Sequence, residues 1–230
     1  MKATFKNEVA AVFDDVFEPD IYKYFISFFN SQNFSFRSSG PWHKIWKIND
    51  GEFLAGQEVS STQMPLNNPY DWLYTQIHGL ATNHLKDIVG EEGKDWCEIA
   101  IRPYIYPAGT KISWHDDYGY TAACIFYCHQ EWNPFWGGEL MLANTPPHDV
   151  LDTTVGNDDS INRLYSKQLL NHYGFGMYFS PNPNRLLFTK GGVWHAINRV
   201  DQSAGDNIRA SVVAFFRKTP CQSMEQPSQS

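Results

Sequence analysis

From Trp96 onward the chain reads as eight short apolar runs separated by turns: CEIAIRPYIY, KISWH, TAACIFYC, GELMLAN, GFGMYFS, RLLFT, VWHAIN and IRASVVAFF. Together they are rich in Ile, Val, Phe and Tyr, and each is short. A succession of this kind folds into a jelly roll or a similar double-sheet barrel. The 230 residues suffice for one domain with a sizeable core, and the 16% aromatic content suits a large core or an apolar-walled cavity.

Upstream the texture is different, and residues 1–95 are expected to be mostly helical support. EPDIYKYFISFFNSQ carries helical spacing after Pro19, with Asp20 near its start. NPYDWLYTQIHGLATNHLKDIVG repeats it, with Trp72, Ile77, Leu80 and Leu85 near one stripe and Gly90 as the stop. Between them, PWHKIWKINDGEFLAG reads as a hairpin turning at Asn49-Asp50-Gly51. The expected architecture is mainly β with supporting helices. A jelly-roll core over 96–218 has the N-terminal helices packed on one sheet, a polar insertion at 145–172 caps one end, and a mobile tail covers 219–230.

A net charge of -7, with no run of Lys or Arg, argues against electrostatic capture of nucleic acid or an anionic membrane. No stretch approaches the roughly 18 apolar residues of a membrane span. Lys6, Asn7 and Glu8 interrupt the N-terminus and make it a poor secretory signal. The four cysteines form no C-x-x-C pair, and Cys124 and Cys128 share one strand face. Reduced, buried thiols and a cytoplasmic location are therefore expected. The sequence leaves the oligomeric state open.

The chemistry concentrates in a few residues. His115 closes the run KISWH, and Asp117 lies two residues on, in the turn that follows. His195 stands eighty positions later in VWHAIN. Two histidines and one carboxylate are the facial set that holds Fe(II) while leaving positions open for a cosubstrate and O2. H-x-D alone is weak, since His129-Gln130-Glu131 also matches, but no later His and Arg favour that pair. Arg209 opens IRASVVAFF, where alternation places Arg209, Ser211 and Val213 on one face. An arginine facing a barrel interior is costly unless paired. A cosubstrate carboxylate would pair it bidentately, with Ser211 adding a hydroxyl; Arg199 is the rival. In CEIAIRPYIY, Glu98, Arg102, Tyr104 and Tyr106 share a face opposite Ile99, Ile101 and Ile105. If the isoleucines meet the helices, Tyr106 lies nearest the metal, with Tyr104 and Arg102 further out, where a substrate would meet them. A solvent-facing strand is the alternative for Arg102. Trp114, Trp132, Phe135 and Trp136 are candidates to wall the pocket, or else to pack in the core.

These residues give the chain a resemblance to the prolyl-4-hydroxylase-like branch of the Fe(II)/2-oxoglutarate dioxygenases. It runs from about Ile99 to Phe216 through YIYPAGTKISWHDD, TAACIFYC, WGGELML, NRLLFTKGGVWHAIN and RASVVAFF. The resemblance implies a double-stranded β-helix of cupin-like form, and a single oxygenase domain over 1–218. It implies iron ligands at His115, Asp117 and His195, and the 2-oxoglutarate arginine at Arg209. Tyr106 would stand close to the cosubstrate, Ile125 would line it, and Tyr127 would bind its far carboxylate. Ascorbate would support turnover. The reaction implied consumes O2 and 2-oxoglutarate, releases succinate and CO2, and hydroxylates an unactivated C–H. Desaturation or cyclisation needs no different ligand set. Halogenases of that superfamily lack the carboxylate, so Asp117 points to oxygen transfer. The insertion has no counterpart, and substrate does not follow from fold. One compact acidic domain without a partner-binding module favours a small molecule, such as a free or carrier-bound amino acid or a biosynthetic intermediate. Hydroxylation of a prolyl or other residue in a protein, and a non-oxidative metal-binding β-barrel, are the alternatives.

Overall fold

Two strands precede the first helix, so the N-terminal region holds more sheet than its sequence announced. β1 (Lys2–Lys6) and β2 (Ala10–Asp14) form an antiparallel hairpin. The polar break that interrupts the apolar run is its turn: the Asn7 side chain accepts hydrogen bonds from Val9 N (3.0 Å) and Ala10 N (2.8 Å). α1 (Pro19–Asn30) follows with Pro19 in its first turn, and buries Phe25, Ile26 and Phe29. The structure, a computed structural model, describes residues 1–38, 51–117, 119–144 and 175–219. The expected insertion at 145–172, and the tail beyond Thr219, lie outside the described residues.

β3 (Ser35–Ser38) and β4 (Glu52–Ala55) pair antiparallel, and the expected first strand in PWHKIWKIN lies outside the described residues. The anticipated turn residues Asn49 and Asp50 are outside the described residues. β5 (Val59–Ser60) is brief. α2 (Pro69–His84) is fixed at its start by a capping box: Asn68 Oδ1 accepts from Tyr70 N (2.9 Å), and Asp71 Oδ2 accepts from Asn68 N (3.2 Å). α3 (Lys86–Val89) ends at Gly90, as expected, with φ +88°. The buried stripe of α2 is Tyr70, Leu73, Ile77, Leu80 and Ala81. Trp72 is not on it. It is 43% exposed and lies 5.7 Å from the ring of Tyr24, itself exposed on α1.

The eight runs each become a strand: β6 (Trp96–Tyr106), β7 (Ile112–His115), β8 (Tyr120–Tyr127), β9 (Leu140–Ala143), β10 (Gly176–Phe179), β11 (Leu186–Lys190), β12 (His195–Ile197) and β13 (Arg209–Lys218). They are shared between two sheets, four to each. The larger is ordered β1-β2-β11-β8-β13-β6-β4-β3, with β5 added on β6, and the smaller β10-β9-β12-β7. All the pairings are antiparallel, and the eight strands make the double-sheet jelly roll. β1 to β5 extend its larger sheet at both edges.

Alternation along the strands divides the core in two. Ile99 and Ile101 of β6, Cys124 and Phe126 of β8, and Val212, Ala214 and Phe216 of β13 face the helices, packing with Phe25, Phe29, Leu73 and Ile77. The opposite faces, with Tyr104, Tyr106, Ile125, Tyr127 and Leu187, meet Leu140, Leu142 and Ile197 of the smaller sheet. Helices therefore cover one sheet's outer face, as expected, and the interior is left to aromatic and polar side chains. Cys124 and Cys128 are buried free thiols on the helix side. Cys97 is disulfide-bonded, which corrects the expectation of four reduced thiols and removes the ground on which a reducing compartment was inferred. Among the described residues no helix is long and apolar enough to cross a membrane.

Candidate metal centre

The antiparallel register of β7 and β12 sets His115 and His195 directly opposite each other, with ring centroids 4.2 Å apart. Asp117 takes φ +47°, the left-handed region that Asp tolerates better than most side chains, and the chain turns there. Its carboxylate comes back to the pair, with Oδ1 3.7 Å from His115 Nε2 and Oδ2 3.3 Å from His195 Nε2. Ligand atoms of all three lie within 4.8 Å of one another, a spacing that one metal ion can bridge. The Nδ1–H of His115 donates to Ser113 O, and that of His195 to Val193 O, each at 2.8 Å. Those carbonyls hold a proton on Nδ1 and turn both Nε2 atoms toward Asp117, the position from which each imidazole would ligate a metal.

The electrostatics agree. Burial by itself would raise the Asp117 carboxyl, but the charges and hydrogen bond of His195, with His115 behind, hold it below the ordinary carboxylate value. Burial would lower His195, yet Asp117 outweighs that and its pKa is raised. Asp117 and His195 stabilise each other's charge, a role that a divalent ion bound there would take over.

The three residues open onto a cavity of about 510 Å³ between the sheets, within the usual size of small-molecule sites. Arg102, Tyr104 and Tyr106 line it, as expected of the polar face of β6, together with Ile125 and Val213. Burial pushes the Tyr104 phenol up to about 12 and raises that of Tyr106 further, so both are neutral hydrogen-bond donors.

Arg209 is fully buried at the start of β13, on the interior face that continues through Ser211 to the cavity-lining Val213 and Phe215. Its guanidinium lies 5.0 Å from the ring centroids of both Tyr106 and Tyr127. Nε donates to Gly138 O (2.7 Å) and Nη2 to the Tyr127 hydroxyl (3.4 Å). Nη1 and the Ser211 hydroxyl are both buried without a hydrogen-bond partner. A desolvated cation with an unused donor beside an unused hydroxyl is incomplete by itself and fits an anion. No carboxylate among the described residues forms an ion pair with it.

Other candidates are sorted clearly. Arg199 is exposed and donates from Nη1 to Gly109 O, and Lys190 donates to Asp87 O (3.3 Å), so neither contacts the interior. The decoy His129 is buried behind β13, with Nδ1 3.2 Å from Ala210 O and Nε2 2.6 Å from Pro181 O. Burial lowers its pKa to about 4, leaving one N–H for two carbonyls and no metal-ligating partner. His78, on α2, pairs with Glu92 beyond α3 (2.9 Å). Trp136 does not line the cavity; it packs edge-on against Trp132 at 5.4 Å. Nor do Trp114, Trp132 or Phe135, which is 86% exposed. Tyr120 and Phe215 supply aromatic wall instead.

Two contributors escaped the sequence reading. Gly138 (φ +74°) presents its carbonyl to Arg209; a Cβ there would stand 3.0 Å from Arg209 Cδ and 3.2 Å from Trp132. Its signal was the Gly137-Gly138 pair in WGGELML. Glu58 lines the cavity from the residue before β5. No periodicity marks it, because a two-residue strand has none.

The fold is similar to that of solved prolyl-4-hydroxylases and 2OG-Fe(II) oxygenases. A prolyl-4-hydroxylase of Pseudomonas putida superposes with TM-score 0.57 at 13% identity, covering 90% of this chain and 91% of that one. A prolyl hydroxylase of Trichoplax adhaerens, solved with a hypoxia inducible factor peptide fragment, gives TM-score 0.57 at 12% identity (92% and 84% covered). The epimerase SnoN, solved with Fe3+, α-ketoglutarate and nogalamycin RO, gives 0.55 at 10% identity (90% and 78% covered). No family model and no curated protein matches the sequence.

Proposed function

We propose that the protein is an Fe(II)- and 2-oxoglutarate-dependent dioxygenase that hydroxylates an unactivated C–H of a small molecule, releasing succinate and CO2. The observation that carries this reading is the coexistence, inside one barrel, of a facial His115–Asp117–His195 set and a buried arginine with an unpartnered donor. His115, Asp117 and His195 would hold the iron, which with 2-oxoglutarate supplies the activation of O2. Arg209, Ser211 and Tyr127 would hold the cosubstrate's far carboxylate, while Tyr106 and Ile125 shape its surroundings. Arg102 and Tyr104 would face the substrate.

The chain's own contribution is orientation and exclusion of water. Carbonyls of Ser113 and Val193 keep the two imidazoles in the ligating tautomer. The aromatic faces of Tyr106 and Tyr127 keep the Arg209 cation in place without neutralising it. A metal-binding barrel with no oxidative chemistry gives no reason for that arrangement.

The cavity's size favours a small molecule, such as a free or carrier-bound amino acid or a biosynthetic intermediate. Hydroxylation of a residue within a protein is the second reading, supported by the peptide held by the Trichoplax adhaerens relative. The test is succinate formation from 2-oxoglutarate with Fe(II) and ascorbate, across small molecules and proline-containing peptides. Products one oxygen atom heavier only among peptides would transfer the assignment to the second reading.

A further inference from the structure

Beside the metal set, the cavity carries a pair of opposite charges that the iron and 2-oxoglutarate chemistry leaves unused. Glu58 and Arg102 both line it. Their proximity comes from the register of β5 on β6, which pairs Val59 with Ile101 and so puts the preceding glutamate beside the following arginine. Yet the two are not closed on each other: Arg102 Nη2 and Glu58 Oε2 are 3.7 Å apart, beyond hydrogen-bond reach. Glu58 is held from elsewhere. Its Oε1 accepts from Arg217 Nη2 at 2.6 Å, and Arg217 is fixed in turn by Glu98 at 3.2 and 3.3 Å. Oε2 accepts no hydrogen bond among the described residues. On the arginine, Nε is buried without a partner.

Two arginines and two glutamates make this cluster formally neutral. A ligand bringing only a carboxylate, or only an ammonium, would unbalance it in a partly desolvated site. A ligand bringing both, one α-carbon apart, would set its carboxylate on Arg102 and its ammonium on Glu58 and keep the balance. Tyr104, with its phenol neutral at the same wall, adds a donor for the carboxylate.

We propose that Glu58 and Arg102 form a zwitterion clamp that selects a free α-amino acid as the substrate, holding its amino and carboxyl groups and presenting the side chain to the metal. This deepens, and rests on, the oxygenase reading above. It excludes the carrier-bound form, whose esterified carboxyl offers Arg102 no charge, and the peptide-internal residue, which offers neither group.

The full chain, loaded with Zn(II) and 2-oxoglutarate, is offered each free L-amino acid by ligand-observed NMR. Any binder is then compared with its N-acetyl and methyl-ester forms. At least one free amino acid is expected to bind, with either block weakening it about tenfold or more, the scale of one charged partner. Glu58→Gln, near-isosteric on a side chain 30% exposed, should bring the N-acetyl form within about threefold of the free one. Arg102→Gln should do the same for the ester, and thermal melts confirm that both variants fold. No free amino acid bound, blocked forms bound as well as free ones, or peptide-internal residues bound instead would overturn the clamp. The 2-oxoglutarate signals in the same tubes keep the two readings apart. Bound 2-oxoglutarate with no amino acid removes the clamp alone, whereas unbound 2-oxoglutarate brings down the oxygenase reading with it.

Discussion

His115 and His195, eighty positions apart in sequence, are direct cross-strand partners on β7 and β12. The carboxylate that faces both comes from Asp117, whose left-handed backbone turns the chain back after His115. A long-range pairing thus builds half of the site and a two-residue local turn the other half. Replacing Asp117 by Ala leaves two histidines that still meet but lack their third ligand. Metal affinity, measured by titration with Zn(II) or Fe(II), should fall by more than the roughly 10–100-fold that loss of a supporting hydrogen bond causes. Unchanged affinity would place the ion elsewhere.

Arg209→Lys keeps the charge and loses the planar fork. A lysine would give up the Gly138 carbonyl or the Tyr127 hydroxyl and cannot receive a carboxylate bidentately. The 2-oxoglutarate requirement should rise about tenfold or more in a succinate assay, while the Zn(II) affinity stays as it was. An unchanged requirement would remove Arg209 from the cosubstrate site.

Gly138→Ala tests the same arginine from its other side. The added Cβ would press on Arg209 Cδ and Trp132 at a residue whose φ is +74°. A loss of about 1–2 kcal/mol in urea unfolding is expected from the backbone alone. The 2-oxoglutarate requirement should rise with it, since the carbonyl that receives Arg209 Nε is displaced. Wild-type stability and an unaltered requirement would contradict this account of the turn.

A pH effect on stability follows from the joint between β2 and β11. Arg185 holds Asp14 side-on, Nε to Oδ1 at 2.7 Å and Nη2 to Oδ2 at 3.1 Å. Burial alone would raise the Asp14 carboxyl, but the Arg185 and Thr4 hydrogen bonds outweigh it and hold it below the ordinary 3.8. A depressed folded-state pKa gives stability that is complete above the unfolded value and vanishes as pH falls through the folded one. Asp14→Asn should therefore destabilise by roughly 1.5–3 kcal/mol at neutral pH. The gap to wild type in urea unfolding should begin to narrow near pH 3.8 and close as pH falls through the lower folded-state value. A gap independent of pH would show that shape, not charge, holds the joint.

What the sequence made legible follows the range of each signal. Strand alternation acts over a few residues, so the split of β13 into Arg209, Ser211 and Val213 against Ala210, Val212 and Ala214 was readable directly. So were the two isoleucine- and tyrosine-bearing faces of β6. Contacts made by short or polar segments were not. β1 and β2 look charged and broken because their turn is made by Asn7. Trp72 satisfied the helical period by composition, but the packed stripe of α2 is rotated toward Leu73 and Ile77. Trp136 has the size of a pocket wall, yet the turn that carries it packs it on Trp132. Glu58 reaches the cavity only through the pairing of β5 with β6, a tertiary fact with no local trace.

If the metal set and Arg209 serve one cosubstrate, its turnover to succinate depends on both. The protein, with its iron site shown to be filled, is given 2-oxoglutarate, O2 and ascorbate, with Asp117→Ala and Arg209→Ala alongside. The wild type should convert 2-oxoglutarate to succinate, coupled to a substrate or not; Asp117→Ala should form none, and Arg209→Ala should form it only at much higher 2-oxoglutarate. No succinate from the iron-loaded wild type, or equal amounts from all three proteins, would contradict that account.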